Sequence, residues 1–142
     1  MEYDYKDKKI VALLAENLEV WQAMNALGHM AIALGANKDG ELMGRDFYSD
    51  KSDGKHRGIA RYGFIVKKAD DNSIKEVLAA VKTVPSIIAA DFPREMLETS
   101  HDDELANLIA LKKHGDFYYL GALFYGPTAE IDNLTKKFSL WK

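Results

Sequence analysis

The hydrophobic pattern of this chain opens with a strand-like run and an unusually apolar helix. From Ile10 to Ala15 every side chain is apolar, which suits a strand covered on both faces. Asn17 stands where a helix cap belongs, and Glu19 falls in the first turn beyond it, complementing the positive end of the helix dipole. Between Val20 and Ala36 the strongly polar side chains are Gln22, Asn25 and His29. Their i, i+3, i+7 spacing predicts one long helix with a buried body and a single polar face.

The remaining segments alternate in the same way. Asn37 to Gly58 is rich in Gly, Asp, Lys and Ser. Asp53-Gly54 within it signals a hairpin turn, with short edge strands at Phe47-Tyr48 and near Ile59. Tyr62 to Ala69 reads as a strand, and Ser73 with Glu76 as a capping box opening a helix striped by Ile74, Val77, Leu78 and Val81. Ser86 to Phe92 reads as a buried strand stopped by Pro93. Ser100 with Asp103 opens a helix striped by Leu105, Leu108 and Ile109, with Lys112, Lys113 and His114 facing its dipole and Gly115 ending it. Asp116 to Tyr125 is the most apolar strand and is expected to be interior. Gly126-Pro127 places a proline at the start of a last helix carrying Ile131, Leu134 and Phe138. The order predicts one α/β domain over 1–142, a three-layer α/β/α arrangement on a mixed sheet of four or more strands. Residues 1–7 are polar and expected to fray.

Composition narrows the class without changing the fold. The 142 residues are 47% hydrophobic and 29% charged, ordinary values for a soluble domain with a sizeable core. No apolar run reaches the roughly 18 residues of a membrane span, and the N-terminus lacks a secretory pattern, so the expectation is a cytoplasmic protein. The absence of cysteine removes disulfides, thiol nucleophiles and thiolate metal sites. A net charge of −3 and a pI near 5.8 argue against a dominant nucleic-acid surface, which needs a basic surplus.

Candidate chemistry is sparse. The segment DKSDG superficially resembles a calcium loop, but aligning Gly54 with the loop glycine puts Ala60 where a bidentate Glu belongs. The four histidines show no i, i+4 pair, and no phosphate-loop, dinucleotide or nucleophile-elbow pattern occurs; neither metal nor cofactor is expected. In open α/β sheets the ligand crevice lies beyond the strand ends, near the helix start. Gln22 and Asn25 lie about 7 and 12 Å along the first helix from Asn17, at 1.5 Å per residue, and are the ligand-binding candidates. His29, about 18 Å along, reads as a structural, hydrogen-bonded histidine. Asp91 ends an apolar strand, where it serves either as a functional carboxylate or as a cap of the turn before Pro93. Gly126 and Thr128 open a helix whose amides form either an anion site or an ordinary cap.

Taken together, several motifs resemble a known family. Asn25-Ala-Leu-Gly-His-Met-Ala31, the Asp53-Gly-Lys-His56 turn and Tyr119-Leu-Gly…Tyr125-Gly-Pro127 are similar to the domain-of-unknown-function two-thousand family, a sister group of the type II peptidyl-tRNA hydrolases. The resemblance implies a peptidyl-tRNA hydrolase II-like fold and a homodimer. It places the hydrolases' lysine at Gln22 and their Asp-Ala-Gly-Arg-Thr segment at Asp91-Phe-Pro-Arg-Glu95, where the glycine and threonine do not match. The expected function is therefore binding of a small molecule or protein partner, without peptidyl-tRNA hydrolysis. The alternative is an ester or amide hydrolase in which Asp91 activates water while Gln22 and Asn25 orient a carbonyl.

Overall fold

In the computed structural model, residues 4–38 and 40–142 are described. Residues 1–3, part of the polar start, and Asp39, within the 37–58 connection, lie outside the described residues. The elements run β1 (Lys8–Ala15), α1 (Val20–Lys38), β2 (Phe47–Ser49), β3 (Lys55–Arg57), β4 (Gly63–Ala69), α2 (Asp71–Val81), β5 (Ile88–Pro93), α3 (Glu95–Glu98), α4 (Asp102–Ala110), β6 (Tyr119–Pro127) and α5 (Thr128–Thr135).

The main sheet has four strands in the order β4-β1-β6-β5. β1 pairs in parallel with β4 and antiparallel with β6, and β6 pairs antiparallel with β5. The expected mixed sheet and the interior place of the last strand are both found. The continuous apolar run of β1 is explained by its two covered faces. Val11, Leu13 and Ala15 enter a core with Ile74, Val77 and Ile131 of α2 and α5. Ile10, Ala12 and Leu14 enter a second core with Ala23, Ala26, Met30 and Leu34 of α1. Helices thus cover both faces of the sheet, giving three layers.

Several local expectations are corrected. β5 is an edge strand in which Ala89 and Asp91 are exposed, so it is half-buried rather than buried. α2 is capped by Asp70, whose carboxylate accepts from the Ser73 amide at 2.9 Å; the helix starts before the Ser73–Glu76 box. Ser100 caps nothing: α4 begins at Asp102, and its apolar stripe is only partly covered. Pro127 ends β6, one residue before α5 begins. The hairpin β2–β3 forms a separate two-stranded sheet, turned by Asp53 at φ 63°, and Ile59 stays outside it at 68% exposed. Within that turn Asp50 accepts from the Ser52 and Gly54 amides and meets His56, so its oxygens serve the hairpin. The N-terminal segment is anchored where Thr128 donates from its hydroxyl to the Lys6 carbonyl and from its amide to the Asp7 carbonyl.

α1 departs most from expectation. Its buried stripe is narrow, while Val20, Trp21, Met24 and Ile32 are exposed. The helix lies on the outside of a four-stranded sheet with no further layer beyond it among the described residues, so only its inward side is covered. Gly121 permits this packing. A Cβ there would stand 2.9 Å from Met30 Cε and 3.1 Å from the Leu13 carbonyl oxygen, too close for either.

Candidate functional site

The loops at the carboxyl end of β1 and β5 and the segment entering β6 meet beside the start of α1. There Asn17, Trp21, Gln22, Arg94, Glu98 and Tyr118 border a cleft of about 390 Å³. This is the crevice beyond the strand ends that open α/β sheets use for ligands. Its parts are fixed locally. Asn17 does not cap α1; its side-chain oxygen accepts from the Tyr118 hydroxyl at 3.1 Å. The cap is supplied by Gln22, whose Oε1 accepts from the Glu19 amide at 3.1 Å, leaving its NH2 group unengaged by that bond. Glu19 precedes the helix and accepts from the Trp21 indole at 2.6 Å.

Arg94 is the cationic group of the cleft. It follows Pro93, where β5 stops, and its amide donates to the Tyr118 carbonyl at 2.9 Å. Its guanidinium stands 4.2 Å from the centre of the Tyr118 ring, a stacking that orients it without using its hydrogen-bond donors. The exposed side chains of Arg94 and Glu98 form no ion pair with each other. The wall carrying both is pinned from below, because Glu95 is buried and bonded to Lys112, and Thr99 donates to the Glu95 carbonyl at 3.0 Å.

A second cavity, of about 400 Å³, lies farther along the same flank of α1 and is bordered by His29, Asp91, Phe92, Ser100, His101 and Asp102. His29, expected above to be a structural histidine, borders this cavity. The ring is exposed, stacks on Phe92 with centroids 5.7 Å apart, and lines this cavity rather than bonding within the core. Helix geometry explains the division: at about 100° per residue, Gln22 and His29 lie about 20° apart on the flank. Asn25 turns outward by a further 40–60° and lines neither cavity.

Asp91 sits at the open edge of β5 and also borders a cavity of about 520 Å³ on the opposite face, with Lys82, His114 and Tyr119. Although the side chain reaches solvent at this edge, the protein packed around it desolvates the carboxyl and raises it above the usual range, against the opposing positive influence of His114 and Lys82. His114 Nδ1 lies 2.9 Å from the Tyr119 hydroxyl, and burial pushes the Tyr119 pKa up to about 12. Gly126 and Thr128 stand at the other end of the sheet, since Leu14 pairs with Gly121 whereas Lys8 pairs with Pro127. The structure therefore does not bring Gln22, Asp91 and Thr128 into one site. Among the described residues no group of three or more His, Asp or Glu is arranged to hold a metal ion. No described helix is long and apolar enough to cross a membrane.

The raised carboxyl of Asp91 has a consequence for stability. A carboxyl whose folded pKa exceeds its unfolded value costs stability above the folded pKa and nothing below the unfolded one. Asp91→Asn is expected to raise the urea midpoint at pH 7, and the gain should vanish near pH 3, roughly below the ordinary aspartate range. Equal midpoints at pH 7 would mean that the ionised carboxylate is held by compensating contacts.

Arg94 and Tyr118 were not singled out from the sequence. The signal existed: Arg94 directly follows the proline that stops a strand, and the strand-end rule that selects Gln22 points there as well.

Comparison with known proteins gives family and fold. The fold is similar to the solved structure of Atu0240, a protein of unknown function from Agrobacterium tumefaciens strain C58, with a TM-score of 0.85 and 20% identity. The match covers 96% of this chain and 98% of that one. At that identity the likeness is one of fold. No curated protein matches the chain. The family model described as a protein of unknown function (DUF2000) matches residues 8–142, nearly the whole described domain, and the chain belongs to that family.

Proposed function

We propose that this protein binds a small molecule bearing a carboxylate or phosphate, seated on Arg94 in the cleft beside Gln22. The observation that carries this reading is the guanidinium itself: stacked on Tyr118, accessible, and among the described residues without a carboxylate partner within ion-pair distance. A fork of planar donors held in place suits a flat or tetrahedral anion. The free NH2 group of Gln22 and the Trp21 ring supply a further donor and an apolar wall. The same reading holds the protein to be a cytoplasmic homodimer that neither depends on nucleic acid nor cleaves peptidyl-tRNA.

The test is an NMR titration with inorganic phosphate and a panel of small carboxylates and phosphate monoesters. Shifts are expected at Gln22, the Trp21 indole, Arg94 and Tyr118. Arg94→Ala should weaken binding about 10- to 150-fold, the equivalent of roughly 1.5–3 kcal/mol for a charged hydrogen bond. A panel that shifts none of these signals at millimolar concentration overturns the reading.

One observation favours a hydrolase as the second reading. Asp91, with its raised carboxyl pKa, borders a cavity with His114 and Tyr119, an arrangement suited to proton transfer. In that case the carbonyl-orienting partners are not Gln22 and Asn25, which lie away from it.

A further inference from the structure

The outward face of α1 is mainly apolar, with exposed Asn25 at its rim, and among the described residues no layer lies above it. Trp21, Met24 and Ile32 are 56%, 68% and 72% exposed, and Gly28 and Gly35 lie between and beyond them on the same line. At about 100° per residue these five positions fall within about 80° of one another, directly opposite buried Met30. No charged side chain occurs on α1 from Val20 to Asn37.

The exposed positions of this stripe are spaced symmetrically about Gly28, with sizes that complement rather than repeat one another. Three residues from the centre the pattern is not yet matched, but Met24 and Ile32 stand four residues to either side, and Trp21 and Gly35 seven to either side. Two such helices crossing antiparallel at Gly28 set Met24 of one copy against Ile32 of the other, and the large Trp21 ring over the bare Gly35. This is the requirement of an isologous interface, in which one patch must complement itself under a two-fold axis. A Cβ at Gly28 or Gly35 would meet nothing within 4 Å in the monomer, so neither glycine is needed for packing inside the chain. Glycine inside a helix costs about 0.5–1 kcal/mol relative to alanine, and a close crossing of helix backbones gives that cost a use.

We infer that α1 is the self-association surface, two copies packing antiparallel and crossing at Gly28. The inference rests on the homodimer of the preceding section and adds its face and register. The area is adequate. Trp21, Met24 and Ile32 expose on the order of 400 Å² per copy and Val20 at the edge of the stripe about 100 Å² more, so pairing that includes this edge covers about 1,000 Å², the lower bound for a specific interface. An interface at that lower bound suits a reversible rather than an obligate dimer.

Because the chain has no cysteine, single cysteines read the geometry directly. Helix axes about 8–10 Å apart, each of radius about 2.3 Å, bring facing Cα atoms to about 3.4–5.4 Å, which reaches the range of a disulfide. In the full chain, Gly28→Cys should cross-link to itself under mild oxidation. Met24→Cys should not, but should cross-link to Ile32→Cys when the two variants are mixed. Sedimentation should give a concentration-dependent dimer for the unaltered protein and monomer for Gly28→Leu and Ile32→Lys. Leu111→Lys, at an 83%-exposed position elsewhere, should remain dimeric. Circular dichroism and thermal melting monitor the fold, and Gly28→Leu should melt no lower than the unaltered protein when both are compared as monomers. A protein monomeric at several hundred micromolar defeats both the dimer and the face. A dimer that survives Gly28→Leu and Ile32→Lys defeats the face alone, and self-cross-linking of Met24→Cys defeats the antiparallel register.

Discussion

The purified protein is expected to cleave peptidyl-tRNA at least a hundredfold more slowly than a type II hydrolase assayed beside it. Ester cleavage needs a base and a stabiliser of the developing oxyanion around one carbon atom. The position that the resemblance gives to a lysine holds Gln22, a neutral side chain whose oxygen turns back to cap its own helix. Arg94 supplies a charge to that cleft, but Asp91 borders other cavities, so base and cation do not converge. Losing one oxyanion donor alone costs about 2.7–4 kcal/mol, or roughly a hundred- to thousandfold in rate. The acidic balance of the chain adds no phosphate attraction to offset this. Release of tRNA from a peptidyl ester is the measurement, and turnover within tenfold of the control contradicts the separation. Gln22→Lys is expected to stay slow, because it restores charge without moving Asp91. Recovery of activity in that variant would mean that charge alone had been missing.

The largest effect on stability is expected from Phe124→Ala, about 3–5 kcal/mol for a fully buried aromatic. Phe124 is wholly inaccessible, sits in the middle of β6, and pairs across with Val11 on one side and Ala89 on the other. Its ring belongs to the core that α2 and α5 cover. A domain of this size has about 5–15 kcal/mol in total, so the variant should sit near the edge of folding. Leu111→Ala, at an exposed position, should change stability by less than about 0.5 kcal/mol. Urea titration with an unchanged m-value is the check. A loss below about 1 kcal/mol for Phe124→Ala would place the ring outside the load of the core.

Much of the architecture could be read from residue order. Ile10–Ala15 and the last strand are apolar at every or nearly every position, and such runs are tolerated only where both faces of a strand are covered. Their interior places in the sheet follow from that one physical fact. Caps and ends were less legible. Asn17, Ser73 and Ser100 are all of the capping type, yet Gln22 and Asp70 make the bonds, because which polar group reaches a free amide depends on how the chain enters the helix. The edge position of β5 is hidden for a related reason: Ser86 to Phe92 looks buried until the pairing order leaves one side of it empty.

The candidate site divides along the same boundary. Sequence reasoning selected Gln22 from helix spacing and strand-end position, and Asp91 as a carboxylate at the end of an apolar run, since both signals are local. Whether they face one cavity is decided by the rotation of α1 against the sheet and by the side of β5 on which Asp91 stands. Those are set by Met30 packing over Gly121 and by the antiparallel register of β5 on β6. The role of Arg94 depends on Tyr118, twenty-four residues later, and the exposure of the α1 stripe on the absence of a layer above it. Periodicity along a chain fixes which residues share a face. It takes the packed structure to say what that face meets, because the partner comes from a distant part of the sequence.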